Sequence, residues 1–293
     1  MKKTLAMMTA AMMVAGALAG CGSSSSTPAA TTAAATTAAA TEAATTEAAG
    51  DTTAAAEGTV KTPSGKFTVG FDQEFPPMGF VGDDGEFTGF DLDLAKEVAS
   101  RLGLEFVPQP INWDAKDMEL ESGNIDCIWN GFTMQGREDA YTWVGPYMAN
   151  NQVFVVNADS DIASKADLAG KAVEVQKDSS GLAALQDDAE LSASFGSMTE
   201  VADYNTALMD LESGACDAVC MDSIVAGYQI KSSGKDMKIL DDTLSAEEYG
   251  IGFKKGEDEL AKAVYDTLME MKDDGTVAKI SNDWFGSDVF TLK

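Results

Sequence analysis

Segments typical of β-strands alternate with segments typical of amphipathic helices from about residue 60 onward, and this alternation constrains the fold more than any other feature. Strand-like runs at 66–71, 104–107 and 125–129 are separated by helix-like runs that start at Asp91 and Asp114. Asp91 is predicted to be an N-cap. Because a β-α-β-α-β series needs crossover connections, it predicts a parallel sheet covered by helices.

A second series of the same kind follows, so the folded region is long enough for two lobes. We predict a hairpin at 79–90 and an exposed ion pair between Glu97 and Arg101 on the first helix. The remaining predicted strands are 172–176, 217–220 and 249–254, and the remaining predicted helices start near Ser180, Thr206, Ser223 and Glu259, the last one ending at Gly275. Residues 60–150 and 250–293 are predicted to form lobe 1, and residues 151–249 to form lobe 2.

The N-terminus has the pattern of an export signal. Lys2 and Lys3 precede an apolar run at 5–18, and Leu18-Ala19-Gly20-Cys21 resembles the lipobox of bacterial lipoproteins. This resemblance implies a signal peptide at 1–20, cleavage before Cys21 and a lipid anchor on its thiol, which gives an extracytoplasmic, membrane-anchored location. The alternative is an ordinary signal peptide with a chance cysteine. Residues 21–58, which are rich in Ala, Thr and Ser, are predicted to be a disordered tether.

Composition excludes several classes of function. The formal net charge of −28 argues against nucleic acid and anionic lipid as partners. The chain contains no histidine, which removes His-based triads and zinc–histidine sites, so we expect no metal and no cofactor. Cys127, Cys216 and Cys220 lie in apolar segments and are predicted to be buried thiols.

The run Gly89-Phe90-Asp91-Leu92-Asp93-Leu94-Ala95-Lys96-Glu97-Val98-Ala99 resembles the signature of the bacterial extracellular solute-binding proteins, family 3. Ile125-Asp126-Cys127-Ile128, Gly145-Pro146-Tyr147, Asp274-Gly275 and Trp284-Phe285 match the same family in order. The resemblance implies an α/β, two-lobed, periplasmic-binding-protein-like (type II) fold with two crossover hinge strands. It also implies a monomer that binds a free amino acid and delivers it to an ABC permease.

The charged ends of an amino acid need charged partners when they leave water. Arg137 follows the strand at 125–129, and the resemblance assigns it to the α-carboxylate. Its spacing from Thr133 is one residue shorter than in the family. The alternative is a surface arginine paired with Glu138. Asp222, after the strand at 217–220, takes the family position for the ammonium, and the alternative is a solvated acid.

Other positions are assigned to the pocket by resemblance or by chemistry. Ser179 and Ser180 precede a helix, where they are expected to contact the ligand carboxylate, and the alternative that one of them merely caps the helix is compatible with such contact. Phe75 and Trp113 either sandwich a flat or cationic side chain or pack in the core, and Asp72 favours a cationic or amide side chain over an acidic one. Glu74 is a further candidate, whereas Trp129 is expected in the core. The complete predicted ligand set is Asp72, Phe75, Trp113, Asn130, Gly131, Thr133, Arg137, Gln176, Ser179, Ser180 and Asp222.

The sequence therefore predicts a substrate-binding lipoprotein of an ABC importer for a polar, cationic or amide amino acid, and not an enzyme. Two alternatives stay open on the same fold. One is an enzyme similar to cyclohexadienyl dehydratase, in which Glu74 or Asp72 transfers a proton. The other is a ligand sensor that signals through a partner protein.

Overall fold

The computed structural model of the protein describes Thr62 and residues 64–293. The predicted signal peptide, the lipidated Cys21 and the tether at 21–58 lie outside these residues. Within the part of the chain that the structure describes, no helix combines the length and hydropathy needed to cross a bilayer.

The described chain alternates strands and helices. Its strands are β1 (Lys66–Phe71), β2 (Glu74–Phe75), β3 (Gly79–Val81), β4 (Phe87–Thr88), β5 (Glu105–Pro110), β6 (Cys127–Thr133), β7 (Thr142–Asn157), β8 (Ala172–Gln176), β9 (Ser197–Val201), β10 (Ala218–Asp222), β11 (Met237–Ile239) and β12 (Ser245–Phe253). Its α-helices are α1 (Phe90–Leu102), α2 (Lys116–Glu121), α3 (Ser180–Asp187), α4 (Ala189–Ser194), α5 (Tyr204–Ser213), α6 (Ser223–Ser233), α7 (Asp258–Asp273) and α8 (Thr276–Phe285). Short 3₁₀ turns cover Trp113–Ala115 and Lys165–Leu168.

One large mixed sheet runs in the order β5-β1-β6-β12-β7-β10-β8-β9, with β11 added beside β7. The β5-β1-β6 end is parallel, as predicted, and so is the β10-β8-β9 end. We call these ends lobe 1 and lobe 2. β7 and β12 pair antiparallel with each other and with strands of both ends, so they are the two crossover strands of a two-lobed α/β fold.

Helices cover both lobes. In lobe 1, α1 packs against β5 and β6 and also against α7 and α8, while in lobe 2 α3 and α5 pack against β8 and β10. The N-cap of α1 is Gly89, whose φ is +145°. A Cβ at Gly89 would lie 2.3 Å from the backbone oxygen of Met78, so only glycine allows the β2-β3-β4 sheet and α1 to approach so closely.

Several predicted elements have different limits in the structure. Asp91 lies inside α1 rather than capping it, and its buried carboxylate accepts hydrogen bonds from Gly131 N and the Tyr147 hydroxyl. The helix predicted at 259–272 is α7, which stops before Gly275 as predicted, but it is not the last one, because Gly275 in the left-handed conformation is the N-cap of α8. The predicted 125–129 strand continues as β6 to Thr133, which moves the expected loop residues into a strand.

Other local predictions are confirmed. Glu97 and Arg101 form their ion pair at 2.8 Å, and Arg101 also contacts Asp274 at 2.7 Å. Cys127, Cys216 and Cys220 are buried free thiols, and burial raises the pKa of each of them. Protonated thiols in an apolar environment behave as small hydrophobic side chains, which fits a packing role.

Candidate functional site

The candidate site lies between the lobes, where strand ends from both of them meet. β1 and β6 of lobe 1 and β8 and β10 of lobe 2 all end at this cleft, as expected for ligand sites at the carboxyl ends of parallel strands. A small cavity at this point is lined by Phe75, Trp113, Gly131, Thr133, Arg137, Gln176, Ser179, Ser180 and Asp222. All nine belong to the predicted ligand set. The fold therefore brings them together, and their contact with a ligand stays a prediction.

Two predicted residues lie just outside this lining. Asp72, which is 6 % exposed, follows β1, and its Oδ2 accepts a hydrogen bond of 2.7 Å from Gln176 Nε2 across the cleft. Burial raises the pKa of Asp72 to about 6, although hydrogen bonds from Glu74 N and Gln176 oppose the shift. Asn130 does not border the cavity but contacts Asp72: its Oδ1 accepts a hydrogen bond of 3.0 Å from Asp72 N. Asn130 thus holds the backbone that carries Asp72.

Arg137 stands in the turn that follows β6. Its Nη1 donates to Thr133 O at 3.2 Å, its Nη2 donates to Asp178 O at 3.4 Å, and its guanidinium carbon lies 5.1 Å from the centre of the Phe132 ring. The alternative pairing with Glu138 does not occur, and Arg137 forms no ion pair with any described carboxylate. The guanidinium is therefore oriented by neutral acceptors and retains donors for an anion.

Hydroxyl groups from both lobes meet beside Arg137. Thr133 Oγ1 lies 3.2 Å from Ser180 Oγ and 2.9 Å from Glu247 Oε2. A hydroxyl has one hydrogen to donate, so Thr133 donates to the carboxylate of Glu247 and keeps its lone pairs for other donors. Ser179 Oγ accepts from Leu182 N at 3.0 Å and caps α3, and Ser179 and Ser180 both border the cavity, so the predicted ligand contact stays open for each.

Asp222 ends β10 and is 3 % exposed. Its carboxylate accepts hydrogen bonds from Asn150 Nδ2 at 2.6 Å, Tyr249 OH at 2.8 Å and Tyr204 OH at 3.1 Å. Burial, followed by the nearby charge of Glu247, raises the pKa of Asp222 to about 7. Asp222 is thus a buried acid rather than the solvated one of the alternative assignment, and only neutral groups donate to it.

The aromatic residues of the set take up distinct positions. The Phe75 ring lies 5.8 Å from that of Tyr204 in lobe 2, and Trp113 meets Phe132 edge-on at 5.5 Å. Gly131 allows this arrangement, because a Cβ there would lie 3.0 Å from the Phe75 ring and its φ is +57°. Phe75 and Trp113 both border the cavity as well as packing, and Trp129 lies fully in the core, as expected.

The sequence analysis missed several polar residues of the site. Glu247 on β12 accepts hydrogen bonds from Thr133, from Asn150 Nδ2 at 3.1 Å and from Gln152 Nε2 at 3.1 Å. The predicted strand began at Tyr249. Extending its two-residue alternation backwards would have placed Glu247 on the buried face with Tyr249.

Charged residues at the mouth of the cleft were also missed. Lys116 of α2 pairs with Asp178 of lobe 2, and Lys177 of lobe 2 pairs with Asp114 of lobe 1 at 2.6 Å. Lys116 is only 2 % exposed and its Nζ also lies 5.3 Å from the centre of the Trp113 ring. Asn205 donates to Glu74 in the same region, so Glu74 holds the lobes together rather than facing the cavity.

Comparison with known proteins agrees with this architecture. Residues 67–287 match the family described as bacterial extracellular solute-binding proteins, family 3. The L-cystine-binding protein TcyJ of Escherichia coli is 31% identical over 231 residues, covering 77% of this chain and 84% of that protein. The L-cystine-binding protein TcyA of Bacillus subtilis is 32% identical over 229 residues, covering 77% of this chain and 83% of that protein.

Solved structures give the same result. The substrate-binding protein of an ABC uptake transporter from Streptococcus pneumoniae with bound histidine has a TM-score of 0.76 and 34% identity, covering 78% of this chain and 96% of its own. An ancestral arginine-binding protein bound to arginine has a TM-score of 0.71 and 36% identity, covering 76% of this chain and 99% of its own. With the fold, the converging strand ends and the family match in agreement, this chain belongs to the bacterial extracellular solute-binding proteins, family 3.

Proposed function

We propose that this protein is the extracytoplasmic receptor of an ABC importer, and that it captures a polar amino acid with a cationic or amide side chain. The observation that carries the proposal is the division of charge across one cavity. Lobe 1 contributes Arg137, and lobe 2 contributes Asp222. An α-amino acid carries one charge of each sign on one carbon, so this pair suits its carboxylate and its ammonium.

The α-carboxylate is assigned to Arg137 with help from the start of α3. The arginine retains free donors, and the first backbone N–H groups of a helix attract anions. Ser180 stands at this helix start and points its hydroxyl toward Thr133. The carboxylate would therefore touch both lobes, which favours the closed form of the protein because only there are both sets of partners in reach.

The side chain of the ligand is assigned to the space between Phe75, Trp113, Asp72 and Gln176. Two ring faces and a buried acid suit a guanidinium, an imidazolium or an amide. Relatives named for arginine and histidine support a ligand of this kind, whereas L-cystine, for which others are named, is polar but carries a second ammonium and a second carboxylate at its far end. An acidic side chain would meet Asp72 and is therefore excluded from the proposal.

The anchor and the delivery step complete the proposal. Lipidation of Cys21 would hold the protein on the membrane, and residues 21–58 would let the folded part sample solute near its permease. Metabolic labelling of the wild type and of Cys21→Ala with a fatty-acid analogue tests the anchor. Loss of the label and release of the protein in the variant are the expected results, and equal labelling would contradict the anchor.

Titration calorimetry with the twenty amino acids and L-cystine tests the binding function. We expect one or a few polar amino acids to bind and L-glutamate and L-aspartate not to bind. Absence of binding by every polar amino acid would refute the proposal. Turnover of prephenate or arogenate in the same samples would favour the dehydratase alternative, for which the buried carboxyl of Asp72 is the candidate acid.

A further inference from the structure

Two buried carboxylates in the cleft share a single amide donor. Asn150 Nδ2 donates to Asp222 Oδ1 at 2.6 Å and to Glu247 Oε2 at 3.1 Å. Asp222 is 3 % exposed and Glu247 is 5 % exposed. Asn150 is itself fixed, because its Oδ1 accepts from the hydroxyl of Ser223. Two like charges are therefore held close together and away from water.

The two acids are not compensated by a cation. Neither forms an ion pair with a described Lys or Arg, and their hydrogen-bond donors are all neutral. A buried charged side chain ordinarily has a partner of opposite charge, because an unpaired buried charge costs several kcal/mol. Something else must therefore neutralise one of the two carboxylates.

A second, independent feature is an unpaired acceptor in the same hydrogen-bond network. Gln152 is completely buried, and its Nε2 donates to Glu247 and to Ser180. Its Oε1 is also buried and accepts no hydrogen bond from any described group. A buried acceptor without a donor is rare in native proteins and needs an explanation. A Cβ at Gly181 would lie 2.7 Å from this oxygen, so the unpaired acceptor faces the start of α3, next to the network that holds Glu247.

Few charged or titratable side chains lie near the Asp222–Glu247 pair. Asp222 is faced by Tyr204 from α5 and Tyr249 from β12, and Cys220 lies on its own strand. Burial raises the pKa of all three, so they are neutral at physiological pH. Arg137 borders the same cavity as Asp222. The titratable residues that border the larger pocket beside Glu247 are Asp114, Arg137, Lys177, Asp178, Asp187 and Glu200.

We infer that Glu247 is the second acid of the ammonium subsite, and that the Asp222–Glu247 pair holds one proton which the ammonium of the ligand replaces. This inference rests on the proposed amino-acid-binding function and adds a residue and a proton to it. The ligand arrives as an ammonium, the carboxyl O–H bond of the pair breaks, and the proton passes to the solvent. Total charge in the subsite is conserved, because one cation takes the place of another.

The pH dependence follows from the environment of Asp222. Burial and the charge of Glu247 raise the pKa of Asp222 to about 7, so the pair is largely protonated below neutral pH. A bound ammonium favours the ionised carboxylate and lowers this pKa. Binding therefore releases a proton below about pH 7 and releases almost none near pH 8, where Asp222 is largely ionised and the free ligand is still an ammonium. An α-hydroxy or α-keto analogue has no ammonium and leaves the proton in place.

The first half of the test needs no ligand. Melting temperatures of the full chain are measured from pH 5 to pH 9 for the wild type, Glu247→Gln and the matched control Glu248→Gln, whose exposed side chain belongs to the same strand. At high pH the wild type must bury two charges, whereas Glu247→Gln buries one. We expect the melting temperature of Glu247→Gln to rise relative to the wild type from pH 5 to about pH 7 and to keep that difference at higher pH. A difference that stays constant with pH, or that Glu248→Gln reproduces, overturns the inference.

The second half counts protons by titration calorimetry in phosphate and in Tris buffer. The ligands are L-histidine, L-arginine, L-glutamine and L-cystine. For a ligand other than L-histidine, whose own imidazole titrates in this range, we expect release of most of one proton at pH 6.5 and little at pH 8 in the wild type, with clearly less release at pH 6.5 in Glu247→Gln. Equal release in both proteins overturns the exchange. If no amino acid binds, the proposed function fails, while the melting series still decides whether the acid pair holds a proton.

Discussion

The mouth and the floor of the cleft differ in how their charged side chains are arranged. The mouth consists of the ion pairs Lys116–Asp178 and Lys177–Asp114, in which each lobe supplies one cation and one anion. The floor consists of Asp222 and Glu247, held by the neutral amides of Asn150 and Gln152. Charges are complementary at the mouth and alike at the floor.

We expect the mouth and the floor to affect closure of the two lobes in different ways. The mouth is satisfied as soon as the lobes meet, so it stabilises the closed form whatever the cleft contains. In the mechanism proposed above, a proton neutralises the floor at low pH and the ammonium of a ligand does so at higher pH, so near and above pH 7 the floor would make closure depend on the ligand. A ligand can shift the open–closed equilibrium only by interacting differently with the two forms. We therefore expect floor substitutions to change selectivity and mouth substitutions to change the basal degree of closure.

The largest effect is expected for Arg137→Ala, because Arg137 joins the two regions. Its Nη1 reaches Thr133 O near the floor, and its Nη2 reaches Asp178 O at the mouth. Loss of a charge-assisted, bidentate partner for the ligand carboxylate should weaken binding at least about 100-fold in calorimetry. Arg101→Ala is the matched control, since Arg101 binds Glu97 and Asp274 on the surface of lobe 1. Affinity within tenfold of the wild type for Arg137→Ala would contradict the carboxylate assignment.

Asp222→Asn is expected to change affinity and stability in opposite directions. The ammonium loses its ionised partner, so the dissociation constant should rise roughly 10- to 100-fold. The ligand-free protein should melt at a higher temperature at pH 8, because a carboxyl group whose pKa is raised from 3.8 to about 7 destabilises the fold progressively as pH rises between these two values. The gain should shrink at pH 5, where Asp222 is already protonated. Unchanged affinity would remove Asp222 from the ammonium subsite.

The site residues of lobe 1 were easier to predict from the sequence than those of the floor. Arg137, Thr133 and Asp72 are set by one strand end each, and strand ends can be located from hydrophobic patterns. The floor instead depends on the register of β7 against β12, which pairs Asn150 with Glu247 and Gln152 with Ser245. Register between distant antiparallel strands is a tertiary property, and β12 was predicted four residues too short at its start. Asp91 was misassigned for a similar reason, since Tyr147, a partner from β7 56 residues away, draws its side chain into the core.

Asp72 resembles the acids of the floor, because it is buried and accepts a hydrogen bond from a neutral amide, that of Gln176 across the cleft. Burial raises its pKa to about 6, so Asp72 loses its charge as pH falls through that value. For a ligand with a cationic side chain, affinity should fall below pH 6, and Asp72→Asn should weaken binding about tenfold at pH 8. For an amide ligand, both changes should be less than about threefold. Calorimetry at pH 5 and pH 8 separates the two ligand classes.

Asp178→Asn tests the mouth with a smaller expected effect. Asn tolerates the left-handed conformation of Asp178, whose φ is +55°, so the substitution removes the charge and keeps the turn. It leaves the buried Lys116 without its carboxylate, although Lys116 keeps the carbonyl of Asp178 at 3.4 Å. We expect the dissociation constant to rise about 3- to 10-fold for every ligand alike. Small-angle X-ray scattering of the ligand-free protein should show a larger radius of gyration.

Asp114→Asn is the matched control for the mouth and carries the smallest effect. The Lys177–Asp114 pair also crosses the cleft, but its side chains are 55% and 40% exposed, so water and salt screen it. Its removal should change the dissociation constant less than about twofold. If Asp114→Asn and Asp178→Asn have equal effects, burial of Lys116 adds nothing to closure. If Asp178→Asn weakens one ligand far more than another, the mouth takes part in selectivity and the division between mouth and floor is wrong.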